Sequence, residues 1–276
     1  MGIKRNRNRK EISISQAGYV TRVLQRFGLQ ECKALKTPMA PGANFLVDSP
    51  SVDVPYREAI GCVNFISQVS RPDVTFAVNT LARFSSAPRQ CHWEAVRRLL
   101  RYLKGTINKK ITYAGRSGNK EPVVWCDSDW GGEEAQNRST SAHVVMLNHG
   151  PIAWMSRLQK VSAMSAAEAE YMSLAEALTE CLWLRPFLGS LGQDVRQATV
   201  IKVDNAAAIA LSKNPEFHRR TKHIGIKYHR VRQEQRLGTV GIEYTPSEDN
   251  AADALTKSVD AVSLARGLQQ LNMSED

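Results

Sequence analysis

The apolar positions of this chain change their period part-way along. Over residues 11–30 a short alternating run, EISIS, predicts a strand; Tyr19, Val23, Leu24 and Phe27 then recur at helical spacing from about Gln16, and Gly28 closes the segment. A loop bearing Pro and Gly, about Thr37 to Pro55, leads to three helical patterns. YREAIGCVNFISQV and RPDVTFAVNTLARF are mostly apolar, as expected of buried helices. HWEAVRRLLRYLKGT is amphipathic: Trp93, Val96, Leu99, Leu100 and Leu103 share one face, and Arg97, Arg98, Arg101 and Lys104 another.

From about Ile111 the period shortens. ITYAGRSG and PVVWCDSD read as strands, continued by SAHVVMLN and PIAWMS with an Asn-His-Gly-Pro turn between them. A long helix follows, SAAEAEYMSLAEALTECLWLRPFLGSLG, with Ser165 and Glu168 placed as a capping box and Gly192 near its end. TVIKVDN is a strand entering the short helix AAAIALSK. A basic helix, TKHIGIKYHRVRQEQRLG, and a strand, TVGIEYTP, lead to a last helical stretch, EDNAADALTK. A strand meander followed by alternating strands and helices predicts an α/β fold with a mixed sheet and helices on its faces.

Composition changes this picture in one respect. With 42% hydrophobic and 23% charged residues the chain is that of an ordinary globular protein, and no apolar run approaches the ~18 residues of a membrane helix. Charge, however, is divided. Residues 1–120 carry 21 Lys and Arg against 7 Asp and Glu, a net +14, whereas residues 121–276 carry 16 against 20, a net −4. A basic half points to a polyanionic partner, nucleic acid being the usual one, or to a solubilising surface. Arg97, Arg98, Arg101 and Lys104 are open to the same two readings. The cysteines Cys32, Cys62, Cys91, Cys126 and Cys181 are odd in number and lack CxxC spacing, which argues for reduced thiols inside a cell and against a zinc site. The N-terminal MGIKRNRNRKEIS lacks the apolar segment of a secretion signal, so a secreted protein is not expected.

The candidate chemistry lies in carboxylates. In VVWCDSDWGG an apolar strand carries Asp127 and Asp129 to its tip. Asp204 ends a second strand at a strand-to-helix turn, the position where α/β sheets gather ligands. Asp253 lies in the final helical stretch, and Glu168 and Glu170 flank the face of the long helix formed by Ala167, Tyr171, Leu174, Leu178 and Leu182. Periodicity does not choose between those two glutamates. Clustered carboxylates repel one another unless a cation neutralises them, and hard oxygen ligands suit Mg²⁺ or Mn²⁺. Beside a basic region, such a cluster reads as a nuclease core.

CDSDW, SAAEAEYMSLAEA, VDNAAAIAL and NAADALTK, in that order, resemble the ribonuclease H domain of copia-type retrotransposon polyproteins. RSTSAHVVMLNHGPIAWMSRLQ and KNPEFHRRTKHIGIKYHRVR look like the same family. Upstream, YREAIGCVNFISQVSRPDVTFAVNTLARF and HWEAVRRLLRYLKGT resemble the segment after the polymerase palm, so the likeness covers about residues 10–260. It implies a ribonuclease H-like mixed five-stranded sheet with flanking helices over 119–265, preceded by a mainly helical thumb- or connection-like region over 1–118. It also implies four acids holding two Mg²⁺ ions, with Mn²⁺ as substitute, to cleave the RNA strand of an RNA–DNA hybrid. Matched residue by residue, these are Asp127, Glu170, Asp204 and Asp253, with Asp129 in the outer shell or turn.

The resemblance implies further partners: the nucleic-acid backbone and the rest of a Pol polyprotein, but no membrane. Candidates for backbone contact are Arg97, Arg98, Arg101, Lys104, Arg219, Arg220, Lys222, Lys227, Arg230 and Arg232. The histidine many ribonucleases H place before the last acid is missing from TPSEDNAA, which leaves His223 and His229 as auxiliary candidates. No YxDD pair occurs, so polymerase activity is not expected. The context implied is cytoplasmic, in a virus-like particle, or nuclear. An integrase-like nuclease is disfavoured because the order here is Asp, Glu, Asp, Asp. A catalytically silent fragment that binds nucleic acid or protein is the alternative.

Overall fold

EISIS forms β2 (Glu11–Ser15), but the basic stretch before it is itself a strand, β1 (Gly2–Asn6), paired antiparallel to β2. The turn between them is built by Asn6, whose Oδ1 accepts the backbone N–H groups of Asn8 (3.1 Å) and Arg9 (3.1 Å). The computed structural model describes residues 1–45, 47–115, 121–133, 137–213 and 225–275, without the side chains of 133 and 225–228. These fall into two compact units, 1–116 with 257–276, and 117–256.

In the first unit the expected helices are α1 (Ala17–Arg26), α2 (Tyr56–Val69), α3 (Thr75–Ala82) and α4 (Gln90–Gly105). Their core is Val20, Val23 and Leu24 of α1, Val63 and Ile66 of α2, and Val96, Leu99, Leu100 and Leu103 of α4. Beneath it sits a buried ion pair: Arg71, 2% exposed, donates from Nε and Nη2 to the two oxygens of Asp73 (2.8 and 2.7 Å). Tyr102 Oη donates to the same carboxylate (2.6 Å), and Arg71 also reaches the carbonyl and hydroxyl of Thr106.

The strand at Ile111, β3 (Lys110–Ala114), does not join the later meander. It pairs with β2, and β9 (Met273–Ser274) completes a four-stranded antiparallel sheet in the order β1-β2-β3-β9. The first unit thus adds a sheet to the helices the sequence suggested. Residues 257–265, placed with the second region from sequence, lie in the first unit, where α8 (Ala261–Gln270) buries Leu264 and Leu268.

The second unit carries the mixed five-stranded sheet. β4 (Val123–Glu133), β5 (Arg138–Leu147) and β6 (Gly150–Leu158) form an antiparallel meander, and β7 (Thr199–Val203) and β8 (Val240–Tyr244) add in parallel, giving the order β6-β5-β4-β7-β8. α5 (Ala166–Ser190) packs on β4 and β5, joined by α6 (Ala206–Lys213) and α7 (Gly225–Arg236). Val124, Cys126, Tyr171, Leu174, Leu178, Ile201, Val203 and Val231 make one apolar cluster between these layers. The first half of α5 is buried on nearly every side, from Glu168 through Ala175, so no single apolar face distinguishes it.

His143 of β5 is buried, and its imidazole is pushed down to about 4 by burial and by the positive charge of Arg157. The fold holds it neutral, while an unfolded chain takes up a proton near pH 6.5. The His143 contribution to stability is therefore complete above pH 6.5 and falls by roughly 1 kcal/mol per pH unit toward pH 4. Urea unfolding of wild type and His143→Leu at pH 7 and 5 checks this: wild type should lose about 2 kcal/mol relative to the variant between the two.

Candidate metal centre

β4 and β7 lie side by side and parallel, with Trp125 opposite Lys202. Two residues on stand Asp127, inside β4, which runs on to Glu133 instead of ending at the acids, and Asp204, just past the end of β7. The two occupy equivalent positions on neighbouring strands, about 4.8 Å apart by sheet spacing. Glu170, in the second turn of α5, approaches from the helix that packs across β4. Carboxylate oxygens of Asp127, Glu170 and Asp204 all lie within 4.8 Å of one another.

Each acid is positioned by named neighbours. Thr256 Oγ1 donates to Asp127 Oδ2 (2.7 Å), and Ser173 Oγ donates to the Asp127 carbonyl (2.7 Å). The backbone N–H of Ser128 donates to Glu170 Oε1 (3.1 Å), while Glu170 Oε2 is buried without a hydrogen-bond partner. Asp204 is not needed as the cap of α6, because Asn205 Oδ1 accepts the Ala208 N–H (3.0 Å) at the start of that helix. The two glutamates of α5 are separated in the same way. Glu168 Oε2 accepts the Met164 N–H (2.8 Å) while its own N–H donates to Ser165 Oγ (3.2 Å), so it closes the helix start; Glu170 faces the acids.

Of the three carboxylates gathered in this partly buried place, Glu170 bears the cost. Glu170 is pushed up to about 9 by burial, then by Asp127 and Asp204, against the opposing Ser128 N–H. The thiol of Cys126 is driven up as well, by burial and by the charges of Glu170, Asp127 and Asp204. A cation supplies what this set lacks, and an unpartnered buried Glu170 oxygen converging with two aspartates fits a hard divalent ion. For the metal-free protein the sign is clear. Glu170 is protonated in the fold and ionised in the unfolded chain from pH 4.5 to 9, so stability falls as pH rises through that window. Glu170→Gln should raise the thermal midpoint in EDTA at pH 8 and leave it little changed at pH 4.5; an unshifted midpoint at pH 8 would overturn the assignment.

Asp253 is placed differently from the other three. The segment EDNAADALTK is not a helix but two single 3₁₀ turns, Ser247–Asp249 and Asp253–Leu255. Asn250 fixes the connection, donating from Nδ2 to the Cys126 carbonyl (3.0 Å) and accepting the Ala252 N–H (3.1 Å), and the second turn packs against β4 and β5. The Asp253 carboxylate stands outside the converging three, next to them through Thr256, whose hydroxyl contacts both Asp127 Oδ2 and the Asp253 carbonyl (2.8 Å). Asp129 also stands apart: β4 bulges after it, Gly131 has φ +66°, and its carboxylate lies so close to Gly132 that an added Cβ would fall 2.0 Å from Oδ2. Sequence reasoning missed Ser173, Asn250 and Thr256. Thr256 alone had a signal, being three residues after Asp253 in NAADALTK.

No family model matches the chain. It is 34% identical over 270 residues to the retrovirus-related Pol polyprotein from transposon TNT 1-94 of Nicotiana tabacum, a match covering 94% of this chain and 20% of the relative. It is 36% identical over 261 residues to the retrovirus-related Pol polyprotein from transposon RE1 of Arabidopsis thaliana, covering 93% and 18%. By sequence the chain is related to the copia-type Pol polyproteins. It spans about a fifth of the length of these Pol relatives. Among solved structures, LC11-RNase H1 in complex with RNA/DNA hybrid aligns at 16% identity over 49% of this chain and 94% of that one, with a TM-score of 0.37.

The cations expected to meet a nucleic-acid backbone in this Pol-related chain are disposed unevenly. On α4, Arg97 is exposed, but Arg98 donates to Thr37 Oγ1 (2.8 Å), Arg101 to the Lys33 carbonyl (2.7 Å) and Lys104 to the Cys32 carbonyl (2.8 Å). Those three hold the 32–37 loop against the helix, a use neither sequence reading included. On α7, Arg232 is buried, and exposed Arg230 pairs with Glu234 (3.0 Å) one turn on. His229 is exposed on the same helix. Arg219, Arg220, Lys222 and His223 lie outside the described residues, as does the side chain of Lys227.

Proposed function

We propose that the chain is the ribonuclease H part of a copia-type Pol polyprotein, hydrolysing the RNA strand of RNA–DNA hybrids with divalent metal. The observation that carries this reading is the convergence of Asp127, Glu170 and Asp204 in a chain with these relatives. Asp127, Glu170 and Asp204 would hold Mg²⁺, or Mn²⁺ in its place, with Asp253 as fourth acid completing a two-ion site. Bound there, the ions supply water activation and charge neutralisation at the scissile phosphate.

The chain's own groups do the positioning. The Ser128 N–H holds Glu170 Oε1, and Oε2 is buried without a hydrogen-bond partner, left for an ion to satisfy. Thr256 holds Asp127 Oδ2 and Ser173 grips its carbonyl, fixing the orientation of the first-strand acid. Asn250 ties the turn bearing Asp253 to β4, beside Asp127. Recognition of RNA would rest on 2′-hydroxyls along the wide minor groove and not on base sequence. Residues 1–118 are read as a polymerase-derived region without the polymerase active centre and 119–256 as the ribonuclease H region, since 257–265 lie in the first unit. Other parts of the polyprotein would be its partners, in a cytoplasmic virus-like particle or in the nucleus. Among the described residues no helix is long and apolar enough to cross a membrane.

The test is cleavage of a labelled RNA–DNA hybrid with Mg²⁺, beside duplex DNA and duplex RNA. Cutting of the RNA strand of the hybrid alone, stopped by EDTA, is the expected result. A folded protein that binds the hybrid without cutting it would replace this reading with that of a silent binding fragment.

A further inference from the structure

We propose that the exposed end of α5 is a docking ridge for a basic amphipathic helix of a partner protein. The first half of α5 is buried, but beyond Leu178 one side of the helix emerges. There Trp183 is 59% exposed, Phe187 46% and Leu191, just past the helix end, 64%. The three recur every four residues, while Cys181, Leu184 and Leu188 between them fill the core cluster. The indole and phenyl rings stack on each other, with centroids 5.4 Å apart and planes 11° from parallel. Large apolar side chains on successive turns make a contiguous patch, unlike the scattered exposure ordinary of a protein surface. The helix end that bears them is braced from its other side. Arg185 donates to the Gln197 carbonyl (2.8 Å), to Thr199 Oγ1 (2.8 Å) and to the Val195 carbonyl, so a partner meets a ridge already in place.

Charge and area choose the occupant. Glu176 and Glu180 precede Trp183 and Phe187 at intervals of four, three and four residues, the spacing of a helical seam. The one basic residue of α5, Arg185, is engaged with the carbonyls behind it. An aromatic ridge led by two carboxylates repels phosphates, so it does not suit nucleic acid, and it attracts Lys and Arg. Two half-exposed aromatic rings and a leucine offer roughly 300–400 Å². A stable pairing of two copies needs about 800 Å² from each, so a second copy does not suit it either. A single helix fits both quantities: apolar anchors against Trp183 and Phe187, basic residues beside Glu176 and Glu180. Trp183 lies about 20 Å along the helix from Glu170, at 1.5 Å per residue, and the ridge takes nothing from the acid centre.

The test titrates the full chain into a fluorescein-labelled peptide of about 18 residues, long enough to form a helix, with leucines at helical spacing and lysines elsewhere. Anisotropy is read in EDTA at about 0.1 M salt. Trp183→Gln with Phe187→Gln, both at exposed positions, should weaken binding at least ~10-fold once circular dichroism shows the variant folded. Glu176→Gln with Glu180→Gln should weaken it about 2- to 5-fold and flatten its dependence on salt. A peptide with glutamates in place of the lysines should bind at least ~10-fold more weakly than the basic one. Equal affinity of wild type and the aromatic variant, or of the two peptides, would overturn the proposal. So would an RNA–DNA hybrid that loses affinity in the aromatic variant, which makes nucleic acid the occupant. Self-association in sedimentation that vanishes in that variant would likewise replace the partner with a second copy. If the double variant does not fold, Trp183→Gln alone decides, with a weakening of at least ~3-fold expected. Because the readout needs neither metal nor cleavage, it holds whether or not the ribonuclease reading does.

Discussion

Asp127→Asn is expected to reduce Mg²⁺-dependent cleavage of an RNA–DNA hybrid by at least ~10³-fold, about 4 kcal/mol of barrier. The side chain keeps its volume, and its amide oxygen can still accept from Thr256, so the fold around it has no reason to change. What is removed is the charge of one of the three converging acids. A neutral ligand neither draws a second divalent ion into the centre nor holds the first with comparable strength. Because the same substitution relieves repulsion among three converging carboxylates, two of them buried, the variant should also unfold at a higher temperature than wild type in EDTA. Loss of activity with gain of metal-free stability would mark Asp127 as a group kept for chemistry at a cost to the fold. Cleavage within tenfold of wild type would instead remove it from the centre.

The second large effect lies far from that chemistry in sequence. Asp73→Ala should destabilise the first unit by about 3–5 kcal/mol, the usual consequence of stranding one member of a buried ion pair. Arg71 would keep its charge at 2% exposure with only Thr106 as partner, and the Tyr102 hydroxyl would lose its acceptor. The carboxyl of Asp73 is held low because the Arg71 charge and hydrogen bonds outweigh the upward push of burial, the largest single influence on it. Its contribution is therefore present at neutral pH and disappears only as pH falls below the ordinary aspartate range. Replacing both partners, Arg71→Met with Asp73→Leu, should recover much of the loss, since the penalty belongs to the unpaired charge. Urea unfolding of the three chains separates these outcomes, and an Asp73→Ala protein within about 1 kcal/mol of wild type would contradict the account.

How far the sequence discloses the molecule depends on what fixes each element. Asp127 and Asp204 could be picked out because apolar runs precede them, and both strands start where those runs put them, but β4 carries on past Asp127 to Glu133, a polar continuation that no apolar run marks. Glu170 could not be told from Glu168 by periodicity, since the start of α5 is buried all round and offers no polar side to count from. Their division of labour depends on tertiary partners, the Ser128 N–H for one and the Met164 N–H for the other. EDNAADALTK looks helical in composition, yet Asn250 and Thr256 give their side chains to β4, and the backbone closes only single turns. β1 escaped notice for the opposite reason: all five of its residues are exposed, so no apolar alternation marks it. The cations of α4 were legible as a face but not as a clamp, because their acceptors are backbone carbonyls and a threonine 61–72 residues away.

The chain leaves the first unit after residue 116 and returns to it at 257, and β9 then closes against β3 through Lys110–Ser274 and Ile111–Met273. During synthesis this reverses the familiar order in which the N-terminal domain folds first. Ile111, wholly buried in the finished protein, must wait for a strand that emerges roughly 160 residues later, about 10–30 s at ordinary elongation rates of ~5–20 residues per second. Every residue of the enclosed unit has left the ribosome by then. The unit begun first is completed last.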